Sequence, residues 1–208
     1  MKIVNGSLSF VILGDWNKYY LTPAWLAEKV FSVDKVEIEL NLGQGPAYSA
    51  NVKNDGVSVQ PTQDRIIFSC NDFDEAKIGS FENAYMAFLS NASSPQIKAF
   101  GFNVQFIEED VRIFSEVIDN LPDSDRYIEA GVTLRGTQIV RNMSYNDKEF
   151  NITFAATGTV LTISVNMNNE CGFPSSEIAI GSGSVNSFIA DAKNILSAGG
   201  YVLEEEEE

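Results

Sequence analysis

The sequence predicts an α+β protein, with a largely antiparallel sheet and about four helices packed mainly on one face of that sheet. Several segments alternate apolar and polar residues, which is the pattern of half-buried strands. One of these segments contains Asp55-Gly56, a dipeptide typical of tight hairpin turns. Four other segments combine helical spacing of apolar residues with the end signals of helices. Together these patterns favour strand meanders that are closed by helices.

The predicted strands are clear in five places. Alternation predicts a strand over residues 36–42, and residues 52–60 form a hairpin around the Asp-Gly turn. An apolar run at 65–70 predicts the next strand, after an interruption by proline. Residues 100–106 alternate strictly. Residues 150–167 predict an amphipathic hairpin, with one face for the core and one face of Thr, Ser and Asn.

Helix signals separate these strands. Thr22 precedes a proline and predicts the N-cap of a helix that runs to about residue 31. Ser80 is the predicted cap of a second helix, whose apolar spacing begins at Phe81. Residues 111–121 predict a third helix that stops before a proline. Ser184 is the predicted cap of a fourth helix, which ends at a pair of glycines.

The chain is expected to form a single compact domain over residues 1–202, because no long linker of Pro, Gly and Ser divides it. The order helix, strands, helix occurs at about residues 22–91 and again at 111–197, which suggests a duplicated half. The amino-acid sequences of these two segments do not resemble each other residue by residue. Residues 203–208 carry a run of glutamates and are expected to form an acidic, disordered tail.

The composition is strongly acidic, with 29 Asp and Glu residues, 14 Lys and Arg residues and a formal net charge of −15. The negative electrostatic field of such a protein repels nucleic-acid phosphates and anionic lipids. Neither a nucleic acid nor a membrane is therefore an expected direct partner. A basic protein partner would suit this charge. The N-terminal residues lack the pattern of a signal peptide, and the expected location is the cytoplasm.

Histidine does not occur in the sequence. This excludes imidazole acid–base catalysis and Ser-His or Cys-His nucleophiles, and it removes the commonest ligand of zinc, copper and iron. The two cysteines, Cys70 and Cys171, are expected to be reduced. No cofactor fingerprint is found, so no cofactor is expected, and a protein without catalytic activity is favoured over an enzyme.

Acidic residues after a predicted strand supply the weak candidates for a metal site, which are Asp72, Asp74 and Glu75. Carboxylates at that place are also what the N-terminus of a following helix favours, without any metal. The glycine- and serine-rich residues 180–184 could hold an anion on exposed backbone N–H groups. A simple connection into the last helix explains that segment equally.

Four aromatic residues near the first helix are the candidate interaction site, because aromatic residues with polar neighbours are enriched at protein interfaces. Packing of the first helix is the alternative role for two of them, Trp25 and Tyr20. The candidates are Trp16, Tyr19, Tyr20 and Trp25.

Three functions remain open from the sequence. The favoured hypothesis is an acidic, intracellular, non-catalytic module for protein interaction or assembly, which binds a protein partner or a second copy of itself. The second is an acidic mimic of nucleic acid that inhibits a basic DNA- or RNA-binding protein. The third is a carboxylate-dependent hydrolase or transferase, with or without magnesium.

Overall fold

A computed structural model describes residues 1–16, 20–41, 49–62, 64–92, 96–109, 126, 129–130, 136–157, 160–174 and 180–203. Ten strands and three helices lie within these residues. The strands are β1 Lys2–Ile3, β2 Leu8–Gly14, β3 Glu37–Asn41, β4 Ser49–Asn54, β5 Val57–Pro61, β6 Arg65–Cys70, β7 Gln96–Glu108, β8 Gly136–Tyr145, β9 Lys148–Thr157 and β10 Val160–Pro174. The helices are α1 Pro23–Leu26, which continues as a π-helical turn over Ala27–Phe31, α2 Glu75–Asn91 and α3 Ser184–Ala198.

All ten strands belong to one antiparallel sheet. Its strand order is β3-β4-β5-β6-β2-β7-β10-β9-β8, and β1 pairs with the end of β7. The long strands β7 and β10 form the centre of this sheet, with a register irregularity between Glu170 and Phe173. The predicted class, an α+β fold on a large antiparallel sheet, is therefore confirmed.

One face of the sheet carries the aromatic core. Phe10, Phe68 and Phe102 lie on neighbouring strands in register and point to the same face. Tyr85 of α2 packs with its ring centroid 4.7 Å from that of Phe10. Phe188 of α3 stacks on Phe102 at 5.5 Å. The burial of these large rings supplies the main driving force that holds both helices on this face.

The hairpin between β4 and β5 forms as predicted. Asp55 and Gly56 take positive φ values of 47° and 81°, which is the backbone conformation that a two-residue hairpin turn needs. The strand β6 has the predicted bounds, Arg65–Cys70. The hairpin of β9 and β10 also forms, in a continuous register from Glu149↔Asn168 to Thr157↔Val160.

The helices differ in detail from the prediction. The first begins as predicted, because Thr22 Oγ1 accepts a hydrogen bond from the backbone N–H of Trp25 at 3.2 Å. The prediction of Ser80 as a cap is wrong, since α2 begins at Glu75 and Asp74 is its N-cap. The described part of the chain holds three helices rather than about four, and the predicted helix at 111–121 lies outside it.

The last helix also has a different cap. The structure places Ser184 as the first residue of α3 and Gly183 as its N-cap, with a φ of +84°. Because the N-cap has no side chain, the N-terminal N–H groups of α3 need acceptors from elsewhere in the fold.

Candidate interaction surface

The helix α3 receives its cap from α2. The carboxylate of Glu82 accepts hydrogen bonds from the backbone N–H of Gly183 at 2.8 Å and of Val185 at 2.9 Å. Glu82 is only 5% exposed. The backbone donors that could have held an anion at residues 180–184 are thus partly used by a carboxylate of the protein itself, which also adds a negative charge there.

The acidic residues after β6 have structural partners as well. Asp74 Oδ1 accepts from the backbone N–H of Lys77 at 2.7 Å, which is the N-cap bond of α2. Asp72 Oδ1 accepts from the backbone N–H of Phe73 at 2.7 Å. Glu75 is exposed in the first helical turn, where a carboxylate favours the helix dipole. Within the described ranges, no group of three or more His, Cys, Asp or Glu residues is arranged to hold a metal ion.

The aromatic candidates separate into buried and exposed residues. Trp16 is 5% exposed and packs with its ring centroid 5.3 Å from that of Phe88 in α2. Trp25 is half-buried and meets the same Phe88 edge-on at 6.0 Å. Tyr20 is 73% exposed, and Tyr19 lies outside the described residues. Trp25 therefore packs α1 against α2, whereas Trp16 packs the segment after β2 against α2. An interface role for Tyr20 stays a prediction.

The second face of the sheet carries a continuous polar row. One residue from each of the nine strands in the main order contributes to it, and each residue is the register partner of the next. We call this set the polar row: Glu37, Lys53, Ser58, Ser69, Ser9, Asn103, Asn166, Asn151 and Asn142. Because α2 and α3 pack on the aromatic face, the polar row lies on the face away from them.

The last four members of the row are asparagines on β7, β10, β9 and β8, and we call them the amide ladder. Asn166 Nδ2 donates to Asn103 Oδ1 at 2.7 Å, and Asn103 Nδ2 donates to Ser9 Oγ at 3.2 Å. Asn151 Nδ2 donates to Asn166 Oδ1 at 3.4 Å. Asn142 ends the ladder on β8 and is exposed. Every donor points from the β8 side toward the centre of the sheet.

The two ends of the sheet differ in charge. The end strand β3 has only five residues and carries the exposed Glu37 and Glu39. Lys53 Nζ lies 2.7 Å from a carboxylate oxygen of Glu39, and its hydrogen bond and charge lower the pKa of that carboxyl. Charged side chains on a short end strand oppose the addition of another strand.

The other end strand, β8, has ten residues and one charged side chain. That charge is Arg141, whose guanidinium carbon lies 5.2 Å from the centroid of the Phe154 ring on β9. Val140 is 56% exposed on the opposite face. In the part of the chain that the structure describes, β8 is the last strand of the order. Unlike β3, it has no carboxylate along its length.

A cleft of about 400 Å³ lies at the start of α3. Phe100 and Met167 contribute apolar surface, and Lys148 supplies a cationic group. Lys148 Nζ is already 2.6 Å from a carboxylate oxygen of Asp191 and 3.1 Å from Ser187 Oγ. Since that ion pair neutralises the lysine, the cleft has no uncompensated charge at this point for a charged ligand.

The cysteines lie on strands that are not neighbours. Cys70 ends β6 and Cys171 lies in β10, with β2 and β7 between them in the sheet. Three strand spacings separate such positions by about 14 Å, which is beyond the reach of a disulfide. Burial raises the pKa of the Cys70 thiol and so disfavours its thiolate.

Comparisons of the sequence with protein-family models and with curated proteins find no match. None of the described helices is both long enough and apolar enough to cross a membrane. The surfaces described above are therefore the features of the molecule that bear on its function. Of these surfaces, the amide ladder and the β8 edge were not found from the sequence, although the Asn-rich face of the β9–β10 hairpin was recognised as polar.

Proposed function

We propose that this protein is a non-catalytic assembly module that self-associates by pairing the edge of β8 with a second copy. The observation that carries the proposal is the contrast between the two end strands. An end strand offers unpaired backbone N–H and C=O groups. Proteins usually prevent another strand from pairing there by means of charges, prolines or a short end strand. β3 has two of these features, charge and short length, whereas β8 is long, contains no proline and carries only one charged side chain, Arg141.

Two further observations support self-association at β8. Its ten residues give a long row of backbone groups for pairing, and strand addition uses such groups for affinity. Val140 also leaves an apolar side chain 56% exposed beside that edge, although Ile38 and Leu40 on β3 are similarly exposed, at 50% and 56%. A second copy that pairs there would cover both the backbone groups and this side chain.

The absence of catalytic activity is part of the proposal. The sequence has no histidine, and the first carboxylates to test for catalysis, Asp72 and Asp74, accept backbone hydrogen bonds at the start of α2. An acid–base pair needs carboxylates that can reach a substrate, and these two have a structural role that explains them. The carboxylate-dependent enzyme is therefore the less supported alternative.

The acidic mimic is also less supported. A mimic of nucleic acid needs regularly spaced carboxylates that are open to a basic partner. In the described chain several carboxylates already bind a cation, and the polar row is built mainly of neutral amides and hydroxyls. The ion pairs include Lys29–Glu28, Lys53–Glu39, Arg65–Asp64, Lys77–Asp55, Lys98–Asp15 and Lys148–Asp191. We place the module in the cytoplasm, a compartment in which thiols such as those of Cys70 and Cys171 stay reduced.

The proposal is tested by sedimentation velocity of the full chain over a wide range of concentrations. We expect a dimer whose fraction rises with concentration. Val140→Lys should weaken the dimer by about tenfold or more, because a lysine beside the edge opposes strand addition and tenfold corresponds to about 1.4 kcal/mol. Val140 is exposed, so the variant should keep its fold.

Val140→Thr is the matched control, since it keeps a β-branched side chain of similar size without a charge. It should dimerise like the wild type. A wild-type chain that stays monomeric at every concentration would contradict the proposal. So would a Val140→Lys variant that dimerises as strongly as the wild type.

A further inference from the structure

The amide ladder ends at the edge where the proposed pairing occurs. Asn142 is its outermost member, and its register partner on β9 is Asn151. From Asn151 the side-chain hydrogen bonds run inward through Asn166 to Asn103. A second copy on β8 would therefore place its own side chains next to an exposed amide.

Two-fold symmetry restricts how β8 can pair with itself. In an antiparallel pair of identical strands, one residue faces its own copy on the two-fold axis. The residues on either side then pair symmetrically about it. An axis at Arg141 would place two guanidinium groups directly opposite each other, and like charges in that position are destabilising.

An axis at Asn142 has a different consequence. It places Val140 opposite Ser144 and Arg141 opposite Met143, so no like charges face each other. It also places the Asn142 amides of the two copies opposite each other where the two sheets meet. The two ladders then form one row of about eight amides, which spans about 34 Å at the usual strand spacing. Stacked asparagine side chains are known to stabilise adjacent strands.

An axis at Val140 is the main competitor, because it pairs more residues of β8. It places Asn142 opposite Gln138 of the other copy. The register partner of Gln138 on β9 is Ala155, so the row of amides stops there. The same shift also removes Tyr145 from contact with Ile139 of the other copy, an aromatic and β-branched pair that the Asn142 axis creates.

We propose that two copies of the chain pair antiparallel through β8 with Asn142 on the two-fold axis, which joins their amide ladders into one row. This inference rests on the proposed self-association through β8. To that proposal it adds the register in which the two β8 strands pair. It also gives the amide ladder the role of selecting this register. A shift of the axis to the next residue on the same face would break the continuity of the amides.

The register is tested by cysteine cross-linking of the full chain. Asn142→Cys, Val140→Cys and Ser144→Cys are each made in a Cys171→Ser background, where the remaining Cys70 is fully buried. Under mild oxidation, Asn142→Cys should give a covalent dimer, because residues that face each other lie within disulfide reach. Val140→Cys alone and Ser144→Cys alone should not, since their copies are about 13 Å apart along the strands.

A mixture of Val140→Cys and Ser144→Cys chains should cross-link, because the Asn142 axis places these two positions opposite each other. Val202→Cys serves as the collision control, since Val202 is 73% exposed and lies outside the sheet. Its covalent dimer measures the rate of random encounters. The Asn142→Cys chain should exceed that rate by about tenfold or more, as expected for an effective concentration near millimolar.

The remaining outcomes distinguish the register of the β8 pair from self-association itself. A covalent dimer of Val140→Cys without one of Asn142→Cys would overturn the register and leave self-association through β8 intact. A dimer in sedimentation that none of the cysteines traps would overturn the Asn142 axis as well. A wild-type chain that never dimerises would overturn the proposed function and this inference with it.

Discussion

Glu82 links α3 to α2 through backbone hydrogen bonds, in addition to the aromatic packing on the sheet. Its carboxylate bridges two helices by accepting from the N–H groups of Gly183 and Val185, which lie more than a hundred positions later in the chain. Hydrogen bonds to an ionised carboxylate are stronger than neutral ones. Since Glu82 is 5% exposed, water cannot easily replace it as the acceptor.

We expect Glu82→Ala to lower the free energy of unfolding by about 3 kcal/mol, because it leaves two backbone donors without their acceptor in a buried place. Glu82→Gln should lower it by about half as much, since one oxygen remains as an acceptor. Urea unfolding followed by circular dichroism measures both values.

Asn83→Ala is the control for this prediction, because Asn83 is the next residue of α2 and is exposed. It should change the free energy of unfolding by less than about 0.5 kcal/mol. A Glu82→Ala chain as stable as the Asn83→Ala chain would show that α3 does not depend on this cap.

Residues such as Glu82 and Trp16 show where local patterns stop being informative. The sequence around Trp16 is polar, which favoured an interface, yet its ring packs on Phe88 of a helix some seventy positions away. The cap of α3 was predicted at Ser184 from a local rule, whereas the acceptor comes from α2. Both outcomes are decided by contacts between distant parts of the chain, and a single sequence does not reveal such contacts.

At the scale of elements, glycine has opposite effects in the central strands and in α2. Gly101 lies in β7, and a Cβ atom added to it would be 2.3 Å from the backbone oxygen of Met167 in β10. Real Cβ atoms do not approach an oxygen so closely, so the strands would have to separate. Gly79 lies inside α2, and a Cβ atom added there meets no atom within 4 Å.

Replacing glycine with alanine should therefore change the free energy of unfolding in opposite directions at these two positions. Gly101→Ala should lower the free energy of unfolding by about 2 kcal/mol, because it overpacks the centre of the sheet. Gly79→Ala should raise it by about 0.5–1 kcal/mol, because alanine loses less entropy than glycine in a helix. Thermal and urea unfolding of the two variants against the wild type measure both effects. A Gly101→Ala chain at least as stable as the wild type would contradict the close packing between β7 and β10.

The elements themselves were largely predictable. Alternation located β3 and the β9–β10 hairpin because a strand in a sheet with one buried face must follow a period of two. An apolar run located β6. The start of α2 was predicted too late, since the apolar spacing was read from Phe81 and the cap at Asp74 was interpreted as a weak metal candidate. The amide ladder could not be predicted, because it depends on the register of four strands and not on any one of them.

At the scale of the whole molecule, the net charge opposes the proposed assembly. Each copy carries a formal charge of −15, so two copies repel each other at low ionic strength. The proposed contact along β8 itself contains no carboxylate and places no ion pair across the boundary. The attraction at the edge is therefore insensitive to salt, whereas the long-range repulsion is screened by it.

We expect self-association to strengthen as salt increases, by about tenfold between low ionic strength and about 0.5 M, because the screening length falls well below the size of the protein. Sedimentation equilibrium at a series of salt concentrations measures the dissociation constant directly. Val140→Lys should remain largely monomeric throughout the series, which separates pairing at β8 from a general loss of solubility. An acidic mimic bound to a basic partner would show the opposite dependence, since its complex rests on attraction between unlike charges. A dimer that weakens as salt rises would therefore argue against the β8 edge and for a contact made by charged groups.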